Sequence, residues 1–187
     1  MPAITTNDLK NGLTLQLDIG LFQVLEFQHV KPGKGSAFVR TKLRNLKSGN
    51  VLERTFNAGI RVEQAILDRA DMQFLYREGN DYVFMDNVTY DQMTVTTAAL
   101  GDAADYMVES MMAQIAIYQG EIVSVDIAAS VELAIAETEP GLQGDRSTGG
   151  RKPARLETGK VIQVPLFINS GDRVRVDTRT GEYMTRV

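Results

Sequence analysis

Cysteine is absent from all 187 residues. This excludes disulfides, cysteine nucleophiles and thiolate metal sites, and agrees with a cytosolic protein. Tryptophan is also absent, and histidine occurs once, at His29. A multi-histidine metal centre is therefore impossible, and a Ser-His-Asp triad would have to use this one residue. His29 lies at the base of a basic hairpin and reads as a strand-end residue. No apolar run reaches the length of a transmembrane helix. The opening MPAITTNDLKNG has no basic region followed by an apolar one, so no secretory signal is expected. These absences predict a cytoplasmic protein with no membrane partner.

What is present is ordinary in amount and uneven in distribution. Hydrophobic residues make up 43% and charged residues 24%, as in soluble globular proteins. The length suits one domain of usual size or two or three small ones. The net charge of −4 conceals a segregation. Residues 1–64 hold nine Lys and Arg against five Asp and Glu, residues 65–127 hold two against eleven, and residues 128–187 hold nine against eight. A basic, a strongly acidic and a near-neutral segment predict three modules with those boundaries. Only part of the surface then faces a polyanion, because attraction to phosphates acts within a Debye length.

The hydropathy pattern is that of short strands. Thr14–Leu17 and Leu21–Phe27 flank a turn at Asp18-Ile19-Gly20. In Ala37–Arg44, Arg40, Lys42 and Arg44 alternate with Val39, Thr41 and Leu43. Val51–Phe56 is a further strand, and residues 57–64 read as a connector with one helical turn. So many short strands in so short a segment suggest a small, bent barrel of SH3-like type. In the middle segment, Met72–Tyr76 and Tyr82–Met85 form one hairpin, and Ile115–Tyr118 and Glu121–Asp126 another. Leu100–Met112 carries helical spacing, with Ala104, Val108 and Met111 on one face. Strands plus one short helix suggest an OB-type barrel. The last segment repeats the theme with strands at Ser130–Ala136, Val161–Ile168, Arg173–Asp177 and Glu182–Arg186. A long Gly- and Pro-rich loop over residues 139–153 interrupts it.

The chemistry concentrates in His29–Arg44. Lys34 stands between Gly33 and Gly35 after Pro32, at the tip of a predicted hairpin. Pro32 sets φ for a turn, and both glycines permit positive φ. The segment is not a phosphate-binding P-loop, since Gly35 follows the lysine and Gln28 stands where the upstream glycine belongs. Lys31, Lys34, Arg40, Lys42 and Arg44 form a run that no carboxylate interrupts between Glu26 and Glu53. Such a face suits phosphate contacts. A second basic group, Arg146, Arg151, Lys152 and Arg155, lies in or just after the long loop. Phe74, Tyr76, Tyr82 and Phe84 could stack bases, but the acidity around them favours core packing. Asp102, Asp105 and Glu109 sketch a weak metal site and read more simply as charges near a helix start. No nucleophile–base pair and no cofactor motif stands out, so no catalytic residue, metal or cofactor is expected.

Five segments in order, KPGKGSAFVRTKLRN (31–45), DYVFMD (81–86), EPGLQGD (139–145), KPARLETGKVIQVPLFINSGD (152–172) and DTRTGEYMTRV (177–187), resemble the elongation factor P family of bacterial translation factors. The resemblance implies three β-barrels, a KOW-type SH3-like domain and two OB domains, in an L-shaped, tRNA-like arrangement. It implies a factor that binds both ribosomal subunits beside the P-site peptidyl- or initiator tRNA and relieves stalling at consecutive prolines. Lys34 takes the position of the tip lysine that approaches the tRNA CCA end, with Pro32, Gly33 and Gly35 shaping its loop. Many members extend that residue covalently, which adds a Lys34-modifying enzyme as a partner. Gly144 and Asp145 match a loop that nears the exit-site codon on the small subunit, and Arg146 departs from the threonine often found next. Tyr183 and Arg186 match the family's C-terminal ending. The residues alone also fit an OB protein that binds unstructured RNA.

Overall fold

Period-two alternation builds the first sheet. Val39, Thr41 and Leu43 are buried while Arg40, Lys42 and Arg44 stand in solvent. Apolar side chains on one face of an extended segment can be buried only if that face meets another layer or curls on itself. In the computed structural model, which describes residues 2–141 and 150–187, six antiparallel strands do this. They are β1 (Ala3–Thr5), β2 (Thr14–Leu17), β3 (Gly20–Val30), β4 (Phe38–Asn45), β5 (Val51–Asn57) and β6 (Arg61–Gln64), in the order β1-β6-β2-β3-β4-β5. Leu9, Leu15, Phe22, Val24, Val39, Leu43, Phe56 and Val62 form the core inside the curl. Each such burial contributes about 1.5–3 kcal/mol. Thr41 is also inside, and its hydroxyl donates to the Arg54 carbonyl at 2.6 Å, which removes the penalty of a buried polar group.

Residues 57–64 hold no helical turn. Arg61–Gln64 is strand β6, pairing with both β1 and β2. Its sole inward apolar residue is Val62, too little for a sequence pattern to register. Strand β3 is also longer than expected and runs through His29, whose ring meets the Phe27 ring edge-on at 5.6 Å.

The second sheet comprises β7 (Asp68–Glu78), β8 (Asp81–Asp86), β9 (Gln92–Val95), β10 (Met112–Tyr118) and β11 (Glu121–Ile127), in the order β11-β10-β7-β8-β9. Phe74, Tyr82 and Phe84 are buried, with the Phe74 ring 5.3 Å from Tyr82 and 5.5 Å from Phe84, whereas Tyr76 is exposed. The helix expected over residues 100–112 is not formed as such. Helix α1 covers only Thr97–Leu100, and a 3-10 segment follows at Gly101–Tyr106. The Thr96 hydroxyl accepts the Ala99 N–H at 3.2 Å, which caps the helix start, and Gly101 at φ 57° ends it. Val108 and Met111 pack instead against the core of the third sheet.

That sheet holds β12 (Ser130–Thr138), β13 (Arg151–Leu156), β14 (Val161–Pro165), β15 (Arg173–Asp177) and β16 (Tyr183–Arg186), in the order β14-β13-β12-β15-β16. Leu133, Ile135, Leu156, Val164, Ile168, Val174 and Val176 are its core.

The chain divides into two compact units, Met1–Arg69 with Ala116–Ser124, and Ala70–Ile115 with Val125–Val187. Within the first, Leu21 and Ala65 pack with Ala116 and Val123, and Lys47 lies 3.8 Å from Glu121. Within the second, Tyr106 joins the core of the third sheet, and the Lys160 ammonium donates to the Asp105 carboxylate at 2.6 Å. That hydrogen bond is the leading reason the Lys160 pKa is raised above its ordinary 10.5.

Two stability measurements check these assignments. Leu133→Ala should destabilise unit two by about 2–5 kcal/mol in urea unfolding, since Leu133 is fully buried and leaves a cavity. Asp105→Asn should cost at most about 1 kcal/mol, because the pair is partly solvent-screened. A raised lysine pKa contributes stability that is fully present below 10.5 and is lost as pH climbs through the folded-state value. The gap between wild type and Asp105→Asn should therefore hold at neutral pH and close in the alkaline range, which pH-resolved melting would record.

Candidate functional site

The tip projects from the two longest-paired strands of the first sheet. After a register shift between Val24 and Glu26, strands β3 and β4 stay paired to Val30 opposite Phe38, and the chain then loops through residues 31–37. Residues 31–36 are all exposed. The loop root is held at Ala37, whose carbonyl accepts the Ala58 N–H at 2.9 Å. Lys34 sits at the apex with no hydrogen bond or ion pair among the described residues. A primary amine is thus carried outward on a narrow support, with no described residue of its own chain to bind.

The two glycines of the tip serve different ends. Gly35 has φ 106°, a conformation that L side chains rarely adopt, so the backbone itself requires glycine there. Gly33 is not in the left-handed region, and a Cβ on it would meet nothing within 4 Å. The expectation that both glycines answer a turn's demand holds for Gly35 alone.

Strand β4 lies between β3 and β5, and this arranges the cationic face. Arg40, Lys42 and Arg44 share the outer side. Lys42 stands opposite Glu26 on β3 and Glu53 on β5, whereas Arg40 faces Gln28 and Thr55, and Arg44 faces Gln23 and Val51. Directly paired residues lie about 4.5–5.5 Å apart between their Cα atoms. Two carboxylates thus stand on the face that the sequence left free of acid, and neither makes a hydrogen bond or ion pair among the described residues. The same stretch forms a shallow depression of about 160 Å³ that Glu26, Gln28, Arg40, Lys42 and Glu53 help to line. Glu26 and Glu53 bound the basic run in sequence and come beside Lys42 only through strand pairing.

The other candidate residues separate. Gly144, Asp145 and Arg146 lie outside the described residues. Arg151, Lys152 and Arg155 are in strand β13 rather than in a loop, and Lys152 points inward. Asp105 is engaged by Lys160, and Asp102 lines a cleft of about 470 Å³ with Tyr106, Arg151, Lys160 and Arg179. Among the described residues no group of three or more acidic or histidine side chains could hold a metal ion. No helix among them is long and apolar enough to cross a membrane.

Comparison with known proteins bears on this geometry. Three family models match in order: the elongation factor P KOW-like domain at residues 5–62, the elongation factor P OB domain at 67–125, and the elongation factor P C-terminal domain at 131–186. Elongation factor P of Streptomyces avermitilis is 60% identical over 184 residues, covering 98% of each chain. That of Kocuria rhizophila is 59% identical over 183 residues, again covering 98% of each. Among solved structures, the eukaryotic translation initiation factor 5A from Methanococcus jannaschii aligns with a TM-score of 0.52 at 21% identity, over 68% of this chain and 92% of that one. At that identity the likeness concerns the fold. Matched along nearly its whole length, this all-β chain of KOW-like and OB domains belongs to the elongation factor P family of translation factors.

Proposed function

We propose that this translation factor binds the ribosome beside the P-site peptidyl- or initiator tRNA and stimulates peptide bond formation at consecutive prolines. The observation that carries the proposal is the tip: a lysine without a partner among the described residues, at the apex of an exposed loop, on a hairpin whose outer face is cationic. Three modules, at residues 1–64, 65–127 and 128–187, carry out this task. The first presents Lys34 to the CCA end, while Lys31, Arg40, Lys42 and Arg44 bind tRNA phosphates. The loop with Gly144, Asp145 and Arg146 serves the small-subunit side. The work takes place in the cytoplasm, without a cofactor.

The mechanism needs no acid–base group of the protein. Proline's ring fixes φ and limits the approach of donor and acceptor. Holding the tRNA end in a near-attack geometry lowers the barrier through orientation, a contribution that reaches about 7–11 kcal/mol at its limit. Lys34 has three donors on a flexible stem and suits contact with backbone phosphates and hydroxyls. Its exposure leaves the amine open to a modifying enzyme that would lengthen its reach. Gly33, free of any internal demand, keeps the loop slim where it passes close to RNA.

Two experiments test this reading. In reconstituted translation of a Pro-Pro-Pro template, Lys34→Ala should abolish relief of stalling while ribosome binding is partly retained; undiminished relief would remove Lys34 from the mechanism. For the cationic face, Arg40→Ala and Arg44→Ala should each lower the salt dependence of binding to ribosomes carrying P-site tRNA, the slope falling by about 1 for each phosphate no longer neutralised. Lys42→Ala should lower it likewise, since all three side chains stand on the same exposed face. A slope unchanged in all three variants would contradict a phosphate-binding face.

A further inference from the structure

The outer face of the first sheet, proposed to bind phosphates, also carries two carboxylates. Glu26 on β3 and Glu53 on β5 lie directly opposite Lys42 on β4, one from each side. Directly paired residues of neighbouring strands project to the same face, so both acids share the side that carries Arg40, Lys42 and Arg44. Glu53 is also one diagonal step from both Arg40 and Arg44. All five of these side chains are exposed. Glu26 and Glu53 line the same depression of about 160 Å³ as Arg40 and Lys42.

Neither carboxylate has a structural task that accounts for its place. Neither forms a hydrogen bond or ion pair among the described residues, with Lys42 or with any other side chain. Elsewhere in the same unit an acid does serve as a partner, as Asp18 accepts from the Arg54 guanidinium at 2.8 Å. The positions opposite Arg40 hold Gln28 and Thr55, so neutral polar residues are compatible with this face. What the two carboxylates add is like charge in the path of an approaching phosphate. Sequence-independent attraction of RNA follows the net charge of a face, whereas a specific complex rests on cations set against particular phosphates. Acid inside a basic face therefore weakens the first kind of binding more than the second, which widens the difference between them.

We propose that Glu26 and Glu53 are specificity-determining residues. They keep the cationic face from holding RNA at large and reserve it for a tRNA that sets its phosphates against the cations and away from the carboxylates. The inference rests on the tRNA-phosphate reading above and names the residues that make that contact selective.

The test uses Glu26→Gln, Glu53→Gln and the double variant in the full chain, which keep the side-chain shape and remove the charge. Glu63→Gln is the control, since Glu63 is an exposed acid of the same sheet on β6, which β2 separates from β3. Each protein is titrated across a salt series with single-stranded oligouridine and with ribosomes carrying initiator tRNA in the P site. The double variant should bind oligouridine about tenfold tighter at low salt and with a steeper salt dependence. Glu63→Gln should gain less than about twofold. Affinity for the loaded ribosome should change by less than about twofold, so the preference for ribosomes over free RNA falls about fivefold or more in the double variant. An unchanged oligouridine affinity in the double variant would overturn the proposal. So would an equal gain in Glu63→Gln, which would mark an effect of net charge alone, or a parallel gain on the ribosome, which would leave the preference intact. Equal affinity of the wild type for ribosomes with and without P-site tRNA would overturn the tRNA reading instead, a result that the oligouridine titrations do not affect.

Discussion

The feature on which the first unit depends is the register of β4 between its two neighbours. Because side chains alternate strictly along a strand, one pairing decides two things together. It places Val39, Thr41 and Leu43 in the core, and it sends Arg40, Lys42 and Arg44 outward. A slip of one residue would bury three cations and expose the centre of the core, so the register is held by a penalty far larger than any single hydrogen bond. The same pairing carries β3 and β4 together as far as Val30 and Phe38, which stiffens the base of the tip. The amine at Lys34 is aimed by packing that lies well behind it.

This arrangement gives the interface a finer pattern than a simple basic patch. Glu26 and Glu53 stand directly opposite Lys42 on the neighbouring strands and one diagonal step from Arg40. Arg40 and Arg44 lie four positions apart on the same strand, separated by about 13 Å at the usual rise. Arginine's planar fork suits phosphate contacts, and lysine adds a point charge on a flexible stem. The third sheet uses a lysine in a different way. Lys152 is withdrawn from solvent and directs its donor to the backbone, so residues with the same formal charge are put to opposite uses within one chain.

Much of this was legible in the residues, and the reasons for the exceptions are specific. The strands with clean alternation, such as Phe38–Asn45 and Arg173–Asp177, appear where period two places them. Strand β6 escaped notice because one inward valine makes no pattern. The helical spacing of residues 100–112 misled, since Ala104, Val108 and Met111 do not line one helix, Val108 and Met111 are apolar to meet a neighbouring sheet, and Gly101 at positive φ breaks the run. The alternation in RKPARL did contain the burial of Lys152, but grouping it with nearby cations as a loop charge hid it. Tyr76, grouped with three buried aromatics, lies outside the core.

The sequence by itself determined the all-β class, the basic tip with Lys34 at its centre, the lack of cysteine and multi-histidine chemistry, and the family. These follow from local composition, from spacing and from motifs read along the chain. Tertiary structure decided which strands lie side by side, and so placed Glu26 and Glu53 next to Lys42 and the Glu139 carbonyl against Lys152. It also decided that Gly35 and not Gly33 is required by the backbone. Such facts depend on residues that the chain keeps far apart or on dihedral angles that no residue type dictates alone, and only the closed sheet brings them into contact.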